Sequence, residues 1–261
     1  MTRLHRTAFS VLAVLLGLAP SGANAQTPKS GGTLKFAVVA EPPTTDCHAT
    51  NTFAVVHPVM PQYSTLLKFV GPHDNQQIAG DLAEGWEMSK DGMVFTFKLR
   101  DGVVFHDGSP FSSADVKASY ERIIWPKEGV LSQRKAVHQD IGAIETPDAR
   151  TVVFRMKRVN ASIILQFASP YNCIFSAAML DRDPRYPEKQ VMGTGAFQLV
   201  EHVKGSHWKA KKFDRYFLKG RPYLDGYIAY FVRSSGVVPG LIGGQFDAEF
   251  RGRSPQERDR L

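Results

Sequence analysis

The stretch from Leu82 to Trp125 constrains the fold more than any other part of this 261-residue chain. Asp-Gly turn signals at Asp91-Gly92, Asp101-Gly102 and Asp107-Gly108 separate short runs rich in aromatic and β-branched residues, which is the local chemistry of antiparallel hairpins. In the middle run Phe95, Phe97 and Leu99 alternate with Thr96, Lys98 and Arg100, so one face is buried and the other is wet. After Pro110 the period changes. Ser112 and Ser113 offer an N-cap, Asp115 stands three residues past Ser112, and Val116, Tyr120, Ile123 and Ile124 fall on one helical face. Trp125-Pro126 stops that helix. On these residues alone the stretch is hairpins plus a capped helix, a structural unit that requires no catalytic residue.

With 43% hydrophobic residues the chain can build one large or two ordinary domains. Its formal net charge is +7, but Arg3 and Arg6 lie in a segment expected to be removed, and without them 30 basic residues face 25 acidic ones. That excess is too mild to call for nucleic acid or an anionic membrane. Arg3 and Arg6 precede an apolar run from Ala8 to Ala19, and Ala23-Asn24-Ala25 supplies the small-x-small cleavage pattern. The run has about 12 residues, whereas a bilayer span needs roughly 20. Residues 1–25 therefore read as a Sec-type signal peptide, with a soluble mature chain starting at Gln26 in the periplasm. In that oxidising compartment Cys47 and Cys173 are candidates for a disulfide, the alternative being two free thiols.

Along the mature chain, Gly31-Gly32 leads into a strand over Thr33–Val39 bounded by Glu41-Pro42-Pro43, and Phe53–Val70 reads as a helix with Met60-Pro61 inside it. Residues 126–140 are polar and basic, a surface excursion. Ile141–Glu145 and Thr151–Met156 form a strand pair about a Pro147-Asp148 turn, followed by a short helical face of Ile163, Ile164, Leu165 and Phe167. Residues 181–190 read as a crossing between subdomains. Gly193-Thr194-Gly195 lacks the length and the Lys of a phosphate cradle and reads as a tight backbone passage. Basic residues interleave with aromatics from Lys204 to Arg221, a pattern shared by single-strand nucleic-acid binders and by solvated strand-turn faces; export favours the second, and no nucleic acid is expected. Tyr227–Val232 alternates as a strand, and Val237–Gly244 reads as a helix. Neither a His-x-x-x-His pair nor a Gly-x-Ser-x-Gly elbow occurs, and His106-Asp107 sits in a tight turn. Cys47, His48 and His57 suit a soft metal on chemistry alone, but a disulfide and two surface imidazoles account for them as well. No metal, no cofactor and no enzyme activity is expected.

The spaced set Trp86, Lys98-Leu99-Arg100-Asp101-Gly102-Val103, Phe105-His106-Asp107-Gly108, Pro110-Phe111 and Asp115-Val116 resembles the signature of family 5 extracellular solute-binding proteins, the peptide-, oligopeptide- and nickel-binding components of ABC importers. The likeness extends to Gly31-Gly32-Thr33-Leu34, to Thr45-Asp46-Cys47 where the family reads Leu-Asp-Pro, to Gly193-Thr194-Gly195-Ala196-Phe197 with Ala196 replacing a Pro, and to Tyr216, Gly220 and Pro222. The resemblance implies a mixed α/β (α+β) fold, a type II periplasmic binding protein-like lobe with an inserted β-hairpin-rich subdomain. Residues 26–52 and 186–261 would form the first lobe and residues 53–185 the insertion. Family members continue for about as long again, so the second lobe is expected to be absent. It also implies Glu41, Thr44, Asp46, Gly193, Thr194 and Gly195 as ligand-binding candidates, with Asp46 equally readable as a helix cap. The partners implied are a peptide or other small solute and an ABC permease, and the chain is expected to be a monomer. Against this solute-binding subunit stand two other readings, an exported hydrolase and a truncated product that does not bind.

Overall fold

The computed structural model describes residues 28–71, 78–251 and 254–261; the expected signal peptide lies outside them. Strand β1 (Thr33–Val38) is followed by α1 (Phe53–Val59), β2 (Leu67–Phe69), β3 (Ile78–Gly80), β4 (Ala83–Met88), β5 (Val94–Leu99) and α2 (Ser113–Ile124). Then come β6 (Ile141–Asp148), β7 (Thr151–Met156), α3 (Ile163–Gln166), α4 (Ala177–Arg182), β8 (Phe197–Val203), β9 (His207–Lys212), β10 (Gly226–Phe231), α5 (Ser234–Ile242), β11 (Ala248–Glu249) and α6 (Pro255–Arg258). Among the described residues the larger sheet has the order β11-β1-β10-β9-β8, a second sheet the order β4-β5-β7-β6, and β2 pairs with β3 alone.

The second sheet realises the hairpin chemistry. Gly92, at φ 70°, turns β4 into β5, and Phe95, Phe97 and Leu99 are buried while Lys98 is exposed. Their face is covered by α2, whose Val116, Tyr120 and Ile123 have no exposed surface. Phe97 and Tyr120 each meet Phe154 edge-on, at 5.6 and 5.0 Å, the arrangement that aromatic quadrupoles favour. The other two Asp-Gly turns do not add strands to this sheet. They fold the connection into α2, where Phe105 N–H donates to the Ser109 carbonyl at 2.8 Å.

Three expectations are corrected. The helix over residues 53–70 ends at Val59: Pro58 and Pro61 carry no N–H to donate, so the chain tightens into a 3-10 turn at Met60–Gln62 and then extends into β2. Residues 126–140 are not only surface, since His138 is fully buried in a 3-10 turn with its ring 5.7 Å from that of Tyr120. Pro147 and Asp148 belong to β6, and the turn falls at Ala149-Arg150.

In the larger sheet β1 runs parallel to both β10 and β11, so the first described strand is completed by two of the last ones. Phe36, Trp208, Tyr227 and Ala229 pack there against Val55 and Val59 of α1. The seam between the two cores runs through an extended segment in which Cys173 and Phe175 join the core of the larger sheet while Ile174 joins the hairpin core. Alternation of side chains along extended backbone produces that division.

Candidate functional site

Parallel strands leave their carboxyl ends and the loops that follow on one edge, where open α/β sheets keep their crevices. At that edge β1, β11 and the start of α1 enclose a pocket of about 190 Å³. It is lined by residues 37–40, 51–54 and 249–251 and by His57. Phe250 stacks on His57 at 4.7 Å and meets Phe36 edge-on at 5.0 Å. Phe53 and Phe250 stay 63% and 49% exposed, an apolar surface at the pocket. Burial lowers the His57 pKa and the Glu249 carboxylate opposes it, so a neutral imidazole faces the pocket at pH 7.

The loop from Val39 to Thr52 that supplies a third of this lining contains little regular structure, and its shape is set by buried polar contacts. Asp46 has no exposed surface; its Oδ1 accepts from the His48 N–H at 2.9 Å and from Arg122 Nη1 at 3.2 Å, and its Oδ2 accepts from Arg122 Nη2 at 2.5 Å. His48 accepts from Arg122 Nη1 at Nδ1 and therefore donates from Nε2 to the Cys173 carbonyl at 2.9 Å. Burial, with the Arg122 charge adding to it, holds its pKa well below the usual histidine range. Cys47 and Cys173 form a disulfide with Cα atoms 6.1 Å apart. Cys47 is thus consumed and both His48 nitrogens are engaged, which leaves neither as a metal ligand.

The six ligand-binding candidates do not line the pocket at the strand ends. The Glu41 carboxylate accepts from His202 Nε2 at 2.7 Å and from the Gly205 N–H at 2.9 Å, tying the loop to the β8–β9 hairpin. Thr44 accepts from the Asp46 N–H at 3.1 Å and faces an open groove with Thr50, Leu131 and Arg185. Asp46 caps the 3-10 turn that starts at Cys47, as its second reading has it. Gly193, Thr194 and Gly195 are buried against the turn at residues 61–63, where a Cβ on Gly195 would meet the Gln62 carbonyl carbon at 2.4 Å. The tight backbone passage is real, and the partner that makes it tight is Gln62-Tyr63. His106 donates its N–H to the Gly193 carbonyl at 2.9 Å and its Nε2 hydrogen to the Gly195 carbonyl at 3.0 Å, so it holds a turn in place.

Sequence reasoning missed Asn51, Thr52, Phe53, Phe250 and Arg122, and weighed His57 only as a metal ligand or a surface imidazole. Phe53 was open to recognition as an exposed aromatic at a helix start; the pairing of residues 249–251 with residues 37–40 carries no local signal.

Residues 77–259 match the model of the bacterial extracellular solute-binding proteins, family 5, middle region. The chain belongs to that family. Among characterised family 5 relatives, the glutathione-binding protein GsiB of Salmonella typhi is 32% identical over 155 residues, 59% of this chain and 30% of its own. The periplasmic binding protein AgaA from A. tumefacien R10, solved with agropinic acid, superposes with a TM-score of 0.76 at 34% identity over 84% of this chain and 43% of its own. Helicobacter pylori DppA, solved with the peptide STSA, gives 0.79 at 25% identity over 90% of this chain and 49% of its own. This family 5 chain thus spans under half the length of the proteins it matches. Among its described residues no helix is long and apolar enough to cross a membrane.

Proposed function

We propose that this chain supplies one wall of a solute site in a periplasmic binding protein serving an ABC importer, and that the solute is a short peptide or a similar small amino-acid derivative. The carrying observation is the pocket at the carboxyl ends of β1 and β11, which Phe53, Phe250 and His57 line together. The aromatic rings of Phe53 and Phe250 beside the His57 imidazole suit the apolar and polar parts of such a ligand. The names of the relatives support the same class, since glutathione and STSA are peptides. Residues 26–52 and 186–261 are taken as parts of the first lobe, which β1 pairing with β10 and β11 supports, and the insertion expected over 53–185 is drawn in to the hairpin core from Leu66 to Ala168, because Val55 and Val59 of α1 and Tyr171, Cys173 and Phe175 pack with the larger sheet. Of the candidates from sequence, Thr44 opens on a separate groove, Glu41 and Asp46 act by holding the loop that leads to the wall, and Gly193, Thr194 and Gly195 pack on the turn at residues 61–63.

A flytrap gains affinity by enclosing its ligand between two lobes and closing on a hinge, the form a permease would receive. One wall covers at most half of a solute, so these residues alone should bind weakly. The test is an amide-shift titration of the mature chain with reduced glutathione and with a pool of di- to pentapeptides. Saturable shifts in the millimolar range, about −4 kcal/mol, confined to residues 37–40, 51–57 and 249–251, are expected. Shifts elsewhere, or none at all, would count against the reading.

A further inference from the structure

We propose that Arg122 is a positioning residue for the solute wall, reaching across the seam from the hairpin subdomain to fix the pocket loop. Helix α2 turns Val116, Tyr120 and Ile123 toward the hairpin core. Arg122 lies two residues, about 200° of helical rotation, from Tyr120, and so faces the other core. Its side chain is 5% exposed, and every nitrogen of the fork is used. Nη1 and Nη2 clasp both Asp46 oxygens, Nη1 also reaches His48 Nδ1 at 3.2 Å, and Nε donates to the Pro184 carbonyl at 3.1 Å. The guanidinium carbon stands 5.5 Å from the centre of the Phe175 ring.

Three of the four hydrogen bonds that Arg122 makes fall on Asp46 and His48, the root of the segment 46–53 whose far end forms the pocket, and the fourth ties the guanidinium to the connection at Pro184. The disulfide and the Tyr171 hydroxyl, which donates to the Asn51 carbonyl at 3.0 Å, hold the same segment from the other side. A planar fork satisfies two carboxylate oxygens and an imidazole nitrogen at once; an ammonium cannot. With Lys at this position the loop keeps its charge partner and loses its register, so the wall samples positions that do not match a solute. This inference rests on the solute-wall reading above.

The experiment compares Arg122→Lys with Ile144→Val, a hairpin-core truncation, in the mature chain. The readouts are amide hydrogen exchange at residues 49–54 and the initial slope of shift change at residues 51–57 on adding reduced glutathione. If the wall keeps its binding shape about a tenth of the time in Arg122→Lys, exchange rises and the slope falls by about tenfold relative to Ile144→Val. Equal exchange at 49–54 in the two variants would overturn the proposal. If the unmodified chain shows no response to glutathione while Arg122→Lys still loosens 49–54, the proposed function fails and the positioning of the wall is supported. Should Arg122→Lys not fold, Asp46→Asn, which keeps volume and one acceptor, carries the same comparison.

Discussion

Gly195 illustrates how a single residue type is dictated by a neighbour more than a hundred positions away. A Cβ there would lie 2.5 Å from the Pro61 carbonyl oxygen and from the Tyr63 nitrogen, both backbone atoms that cannot turn aside. Gly195→Ala should therefore cost about 3 kcal/mol by overpacking, whereas Gly85→Ala, with nothing within 4 Å of its added carbon, should be nearly neutral in urea melts. The sequence made the close passage legible, because two glycines flank one threonine; the opposing turn was not, because nothing local points from 195 to 62. The same holds for Asp46, whose cap was legible and whose clasp by Arg122 was not. His138 gives a second residue-scale prediction. Its Nδ1 hydrogen goes to the Arg134 carbonyl and its Nε2 accepts from Asn172 Nδ2 at 3.1 Å, so the neutral ring is the one that fits. Burial pushes its pKa from 6.5 down to about 4. The unfolded chain then binds this proton more readily, so the contribution to stability is complete above pH 6.5 and is lost as the pH falls toward 4. Burial of Asp81, raised to about 6, works in the opposite sense, favouring the unfolded chain as the pH rises through that value. Comparing His138→Asn with the unmodified chain removes this second trend. The stability lost between pH 7 and pH 5 should be smaller in the variant by about 2 kcal/mol; identical losses would show that His138 takes no part.

At the scale of elements, α2 was the most legible piece because its start signal, apolar face and stop signal agree. The Asp115 carboxylate accepts from the Ser112 N–H at 2.7 Å, and its other oxygen accepts from the Ala177 N–H at 2.8 Å, so one side chain serves the start of two helices, α2 and α4. The first role was expected from spacing; the second depends on how α4 returns across the seam. Asp115→Ala should cost about 2 kcal/mol, at the upper end for a lost N-cap, and Asp115→Asn, which keeps an acceptor, should recover part of that loss in urea melts. A cost confined to a few tenths would mean that water replaces the carboxylate at both helices. Helix α1 was the least legible piece. Its apolar periodicity continues past Val59, but two prolines remove the donors that a longer helix needs, and the freed chain supplies the Gln62-Tyr63 turn on which Gly193 and Gly195 rest.

For the molecule as a whole, the Cys47–Cys173 bridge sits at the neck between the two cores. Its partners are 126 residues apart, and nearly the whole hairpin core, from Leu66 to Ala168, lies inside the loop it closes. The leader-like pattern of residues 1–25 and the presence of only two cysteines made the pairing legible. Its position at the neck became visible only with Cys173 and Ile174 pointing into different cores. In the chain-entropy view a loop of this length contributes about 5 kcal/mol by restricting the unfolded chain. Both cysteines belong to the core of the larger sheet, so the loss should be felt there first. Fluorotryptophan labelling separates the two regions, because Trp208 has no exposed surface in that core while Trp86 packs beside the hairpin core. In Cys47→Ala/Cys173→Ala the Trp208 resonance should lose its native shift at a lower urea concentration than in the parent chain, and Trp86 should follow at a higher one. Coincident transitions moved together would mean that the two cores unfold as one unit across the seam. A Trp208 transition that does not move at all would show that the buried Asp46–Arg122 clasp and the packing around Phe175 hold the neck without the covalent bond.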